Sequence, residues 1–321
     1  MRVLIFVAAV IGIVYGQCNS SNCKLPNCRC FSDNGIPGGL PAAEVPQMVV
    51  ITMDYSLNSD FSELYDLLFQ YKNPNDCPST GTFFIQDLNT DYNIVRSFYN
   101  RKFEIGISSV DGSIPTDQNG WINMIKSVKD KITNVGVNSK DVKGYRAPQL
   151  SFGGTPEFIG IGDNDMLYDA GCITSLYDSE NTFKWPYTYD FVPGASCNGQ
   201  SAPVDLKFIG KWQVLIPDFK FGGTRCEVPQ ACTNVITKKD AFDILYDNFV
   251  VHYEGNRTPY YVIIDAAWMK TDYKREATVE FVEYIRAAFP DTYLVSVIQS
   301  LQWVQQPTPI ANITSFPPWS C

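Results

Sequence analysis

One carboxylate stands where a buried strand would deliver it. Val49-Val50-Ile51-Thr52-Met53-Asp54-Tyr55 is a short β-branched apolar run preceded by Pro46, which reads as a buried strand ending in Asp54. In parallel-sheet and barrel folds that end of a strand carries the reactive groups. A lone carboxylate can act as a base, contribute to a cation site or pair with a guanidinium. Imidazole help is scarce, because the chain holds one histidine, His252. It sits beside the apolar face of a helical stretch, and one imidazole does not make a zinc site, so a structural role is expected. The ten cysteines, from Cys18 to Cys321, are even in number and are expected to form disulfides. A zinc knuckle over Cys18–Cys30 is the rival reading, and no histidine accompanies it. No Gly-rich phosphate loop, nucleophile elbow or basic stripe is present.

The elements that position Asp54 follow from the surrounding pattern. Residues Met1–Gly16 form an apolar run after Arg2, too short to span a bilayer, and read as a cleaved secretory signal. The mature chain is expected to start near Gln17 and to be secreted, with no later membrane span. Residues 17–46 are rich in Cys, Pro and Gly and read as a stapled N-terminal strap. From Met48 onwards strands and helices alternate. Strand Met48–Met53 precedes a helix over Phe61–Tyr71, strand Thr82–Ile85 and a helix near Tyr92–Tyr99. Strand Glu104–Ser108, a helix over Trp121–Val135 and a short strand Val142–Tyr145 then lead into Arg146. Gly153–Cys232 is poorly periodic, so long disulfide-held loops and a strand near Leu167–Thr174 are expected. The alternation resumes with a helix over Ala241–Tyr253, turning Phe242, Leu245, Phe249, Val250 and Tyr253 inward. Strand Tyr260–Ile264, helix Arg275–Phe289, strand Thr292–Val297 and helix Ile298–Gln305 complete it. Repeated βα units imply an α/β fold with a parallel sheet, and residues 47–321 show no linker that would divide them. The formal charge of −9 argues against nucleic acid and anionic membranes and suits a neutral or cationic partner. Asn19, Asn256 and Asn312 head sequons for glycan attachment.

Several stretches carry a resemblance. Pro46-Gln47-Met48-Val49-Val50-Ile51-Thr52-Met53-Asp54 resembles the first motif of the polysaccharide deacetylases, in their animal chitin-deacetylase branch. Four further stretches match in order: Glu104-Ile105-Gly106-Ile107-Ser108-Ser109, Arg146-Ala147-Pro148-Gln149-Leu150 with Gly153-Gly154, Trp185–Phe191, and Ala266-Ala267-Trp268-Met269. With the Cys18–Leu40 strap and Phe316–Cys321, the resemblance covers essentially the whole mature chain. It implies a distorted (β/α) barrel with a disulfide-stapled strap and long central loops. It also implies an ancestral chemistry, zinc-assisted hydrolysis of the acetamide of N-acetylglucosamine units in chitin. That chemistry needs a metal to polarise the carbonyl and activate water, a carboxylate base, and an acid for the leaving amine.

The chain departs from the family where the metal would sit. The family's base position is Asp54, but its metal-binding Asp position is Tyr55. Its two metal His positions fall on Ser108 and Gly112, and its acid His position on Asp265. Arg146, which steadies the base in the family, is retained. The aromatic expected after Pro148, whose amide helps hold the oxyanion, is Gln149. Trp185, Tyr187 and Trp268 match cleft-lining aromatics, although spacing alone fits core packing equally well. Tyr, Ser and Gly do not replace the missing ligands, so no zinc is expected. Asp54, Asp111 and Asp265 offer at most an oxygen-only calcium or magnesium site. The leading expectation is a secreted pseudoenzyme that binds chitin or a related N-acetylglucosamine polymer, with Asp54 paired to Arg146 and Asp265 capping a helix. The alternatives are a weak deacetylase using Asp54 and Asp265, and an interaction scaffold with no sugar in the cleft.

Overall fold

A computed structural model of the chain describes residues 17–174, 183–192, 194–197 and 204–321, so the expected signal segment lies outside the described residues. The strand that opens with Gln47 is buried on both faces. Met48 and Val50 join one apolar cluster while Val49, Ile51 and Met53 join another, the period-2 alternation of a central strand. This strand, β1 (Gln47–Tyr55), runs parallel to β10 (Tyr260–Ile263), β11 (Thr292–Leu294) and β2 (Thr82–Gln86). The sheet continues through β3 (Glu104–Ser109), β4 (Gly144–Tyr145), β5 (Tyr168–Thr174) and β7 (Trp212–Pro217), and β6 (Tyr187–Thr188) closes the far edge antiparallel. β8 (Phe219–Phe221) and β9 (Thr224–Cys226) form a separate hairpin. Between the strands lie α1 (Ser59–Asp66), α2 (Tyr92–Asn100), α3 (Gln118–Asn134), α4 (Thr155–Asp163), α5 (Lys238–Glu254), α6 (Ala266–Lys270), α7 (Asp272–Ala288) and α8 (Val297–Gln305). The result is the expected distorted (β/α) barrel.

Five differences from the sequence expectation have local causes. The first helix ends at Asp66 rather than Tyr71, and Leu68 and Phe69 turn off it into the core. β11 stops at Leu294, because Ser296 and Gln299 form a capping box that starts α8. The central region is more regular than expected. It contains α4, in which Gly160 lets the helix approach α3 so closely that a Cβ would lie 3.2 Å from Trp121. It also contains the fully buried strand β7. On α5 the buried face is Ala241, Ile244, Leu245, Asn248, Phe249 and His252. Phe242, Val250 and Tyr253 are only half-buried there. Asn248 explains the rotation, since it exchanges two backbone hydrogen bonds with Lys220, both at 3.0 Å.

All ten cysteines are paired, as Cys18–Cys30, Cys23–Cys28, Cys77–Cys321, Cys172–Cys197 and Cys226–Cys232. The sulfurs of Cys18, Cys23 and Cys28 lie close together but are bonded in two of these bridges. The Thr237–Asp240 capping box starts α5. Thr237→Ala is expected to lower stability by about 1 kcal/mol, read as a lower denaturant midpoint at unchanged slope.

Candidate functional site

Asp54 and Thr52 share the face of β1 that Met48 and Val50 turn into the barrel, because side chains alternate along a strand. Arg146 follows β4 directly and reaches both. Its Nη1 donates to Thr52 Oγ1 at 2.7 Å and to Asp54 Oδ1 at 2.6 Å, and its Nε donates to Ala170 O at 2.7 Å. The guanidinium is 1% exposed and lies 4.2 Å from the centre of the Phe84 ring. Burial pushes the Asp54 carboxyl above its ordinary range against the pull of Arg146, and the charge of Asp265 adds to the rise. Thr52 was not singled out from the sequence. Its position two residues before Asp54, on the same strand face, was the available signal.

Asp265 arrives at the same height by register. Thr52 pairs with Ile263, so two residues on, Asp54 and Asp265 stand side by side at the ends of β1 and β10. Asp265 caps α6, its Oδ1 accepting from Trp268 N at 2.7 Å. Tyr55 ends β1 with a left-handed backbone (φ 81) and is 49% exposed. Burial, then the charges of Asp54 and Asp265, push its phenol upward, so it stays protonated at neutral pH. The same carboxylates act on Tyr65 of α1, whose phenol is also pushed up, mainly by burial. Sequence patterning gave no hint of Tyr65.

The remaining predicted residues divide. Gln149 (φ 56) is exposed after the buried Pro148, and its Nε2 donates to Gly112 O at 3.0 Å. Ser108 is buried on β3, and Gly112 adopts φ 88. Asp111 is exposed, its carboxyl held low by hydrogen bonds from Ser113. Trp185, Tyr187 and Trp268 are each 1% exposed or less, so they pack in the core and do not line an open cleft. Trp185 stacks on Trp303, and Trp268 Nε1 donates to Thr278 Oγ1 at 2.8 Å. Tyr187 Oη takes Ala195 N and donates to Tyr189, both at 2.9 Å. His252 stacks on Phe183 at 4.0 Å with Nδ1 facing Thr258, and burial pulls its pKa down to about 3. It is a neutral core residue.

Among the described residues no three His, Cys or carboxylate donors converge at the Asp54 end. A cavity of about 800 Å³ opens at the opposite ends of the strands, walled by Glu104, Val295 and Trp319 among others. Glu104 is engaged there by Thr82, Tyr168 and the Ile298 amide, which makes it a staple for α8.

No family model matches the chain. Chitin deacetylase 1 of Bombyx mori is 31% identical over 325 residues, covering 94% of this chain; the chain spans only 59% of that protein. Chitin deacetylase 8 of Bombyx mori is 30% identical over 325 residues, covering 96% of this chain and 84% of that protein. Two solved structures share the fold. One, described as a polysaccharide deacetylase from Mycobacterium smegmatis, has a TM-score of 0.54 at 15% identity, covering 86% of this chain and 96% of its own. The other, the allantoinase Puue, has a TM-score of 0.56 at 14% identity, covering 86% and 95%.

Proposed function

The chain belongs to the animal chitin deacetylase-like branch of the polysaccharide deacetylases, and from that premise we propose a secreted, metal-free member that holds a chitin-type glycan at the Asp54 mouth without hydrolysing it. The observation that carries this reading is the donor set at the mouth. Zinc is held by imidazole, thiolate or carboxylate, usually three protein ligands in a catalytic site. The positions that match the family's ligands here offer a protonated phenol at Tyr55, a hydroxyl at Ser108 and no side chain at Gly112. The carbonyl of Gly112 is bridged by Gln149. The position that matches the family's base, Asp54, keeps its Arg146 partner at 2.6 Å. These residues do not fit a zinc ion.

Without a metal the chain's own residues bind and orient. Five disulfides support an oxidising compartment. Among the described residues no helix is long and apolar enough to cross a membrane. The glycan partner is supported by the two relatives, both named chitin deacetylases. The test is calorimetric titration with a chitin oligomer in zinc and again in EDTA. The expected result is binding of equal affinity in both; binding that vanishes with the chelator contradicts the reading. One observation favours a second reading, a weak deacetylase. Asp265 stands beside Asp54 at the strand ends, and burial first, with the charge of Asp265 adding to it, raises the Asp54 carboxyl, as in a paired acid and base; that enzyme would release acetate only with added divalent ion.

A further inference from the structure

We propose that the mouth beside Asp54 takes a partly deacetylated chitin chain, with a glucosamine unit laying its apolar face on the Tyr55 ring and its ammonium against Asp265. The proposal rests on the glycan-binding reading and names the sugar. The aromatics that would be expected to stack on a sugar, Trp185, Tyr187 and Trp268, are sealed in the core. Among the described residues Tyr55 is the large aromatic left open at this end, 49% exposed. Its neighbourhood is apolar as well. Ser56 Oγ donates to Leu88 O, and Leu88 N donates to Val110 O at 2.8 Å. These bonds hold exposed Leu88 beside the Tyr55 end of β1. An exposed ring with a flanking apolar rim matches the C–H face of a pyranose and leaves the sugar's polar edge to be met by other groups.

Those groups are anionic. Arg146 neutralises Asp54, which leaves Asp265 as the uncompensated charge. One Asp265 oxygen accepts from Trp268 N, and no cation of the described residues forms an ion pair with it. The nearest lysines of its own region are turned to rings, Lys270 over Phe61 at 4.4 Å and Lys274 over Trp268 at 4.8 Å. An N-acetyl sugar docked here would cover a carboxylate without pairing it, which is unfavourable. An ammonium would gain a charge-assisted hydrogen bond and the negative face of the phenol ring. The overall charge of −9 attracts the same polycation. Such a ligand must be supplied by a separate amide hydrolysis. Water adds at the acetamide carbonyl, the C–N bond breaks, acetate leaves and the amine takes the proton.

The test is titration with a glucosamine tetramer and an N-acetylglucosamine tetramer at a pH where the amines are protonated. The wild-type chain is expected to bind the amino oligomer at least about tenfold more tightly. Asp265→Asn keeps the helix cap, since Asn caps as well as Asp, and is expected to abolish that preference while retaining the N-acetyl oligomer. Tyr55→Asn suits the left-handed backbone and is expected to weaken both oligomers about tenfold. Equal or tighter binding of the N-acetyl oligomer, or an unchanged preference in Asp265→Asn, overturns the proposal while the glycan-binding reading stands. Binding of neither oligomer by the wild-type chain overturns both.

Discussion

Arg146→Met is expected to lower folding stability by roughly 3–5 kcal/mol, the cost of breaking one side of a buried ion pair. Methionine approximates the length and apolar stem of arginine, so the loss is electrostatic more than steric. It removes the donors to Asp54, Thr52 and Ala170 O, and it strands a carboxylate that burial already disfavours. Adding Asp54→Asn is expected to recover part of the loss, because the stranded charge is then gone. The remainder measures the Thr52 and Ala170 contacts. Denaturant unfolding of the two single variants and the double variant supplies the cycle. A single-variant loss below about 1 kcal/mol, the range of an exposed pair, would show that the pair does not hold the strand end.

The second large effect concerns a carboxyl pair that no sequence pattern revealed. Glu157 of α4 and Asp169 of β5 are both fully buried. Gly153 N donates to Glu157 Oε2 at 2.6 Å, and Gln213 Nε2 donates to Asp169 Oδ2 at 2.6 Å. Glu157 Oε1 has no donor, and a proton on the pair gives it Asp169 as a partner. Burial, then the charge of Asp169, push Glu157 well up, and burial also raises Asp169. A carboxyl raised in the folded state stabilises fully below its unfolded pKa, and that contribution is lost as pH rises through the folded value. The folded chain keeps a proton the unfolded chain has released. Stability therefore falls with rising pH by up to about 1.4 kcal/mol per unit above the ordinary carboxyl range. Glu157→Gln is expected to remove that slope. Its amide can still accept from Gly153 and can donate to Asp169 with no proton to lose. The variant should match the wild type near pH 4 and exceed it increasingly towards pH 8. A constant difference across that range would mean that Glu157 is not the proton's site.

What was legible in the sequence was local. The strand ending in Asp54 needs only its β-branched run, and the Asp265 cap needs only an Asp three residues before a backbone amide. The Asp54–Arg146 pair followed from two matching motifs and is present at 2.6 Å. The aromatics were not legible in this way. Whether Trp185 faces a groove or the core is decided by Trp303, far along the chain, and for Trp268 it is decided by Thr278 on the following helix. The region around α4 misled for another reason. Gly160 and Gly162 lower helix propensity, yet Gly160 is what permits the close approach to α3. The open face of Tyr55 depends on a left-handed backbone that a tyrosine rarely adopts.

The proposed metal-free mouth at Asp54 holds its glycan without hydrolysing it. The direct measurement is acetate released from chitin oligomers by the purified chain, with and without added zinc. No release above buffer under either condition is the predicted result. Zinc bound in stoichiometric amount, with turnover that disappears in Asp54→Ala, would contradict it.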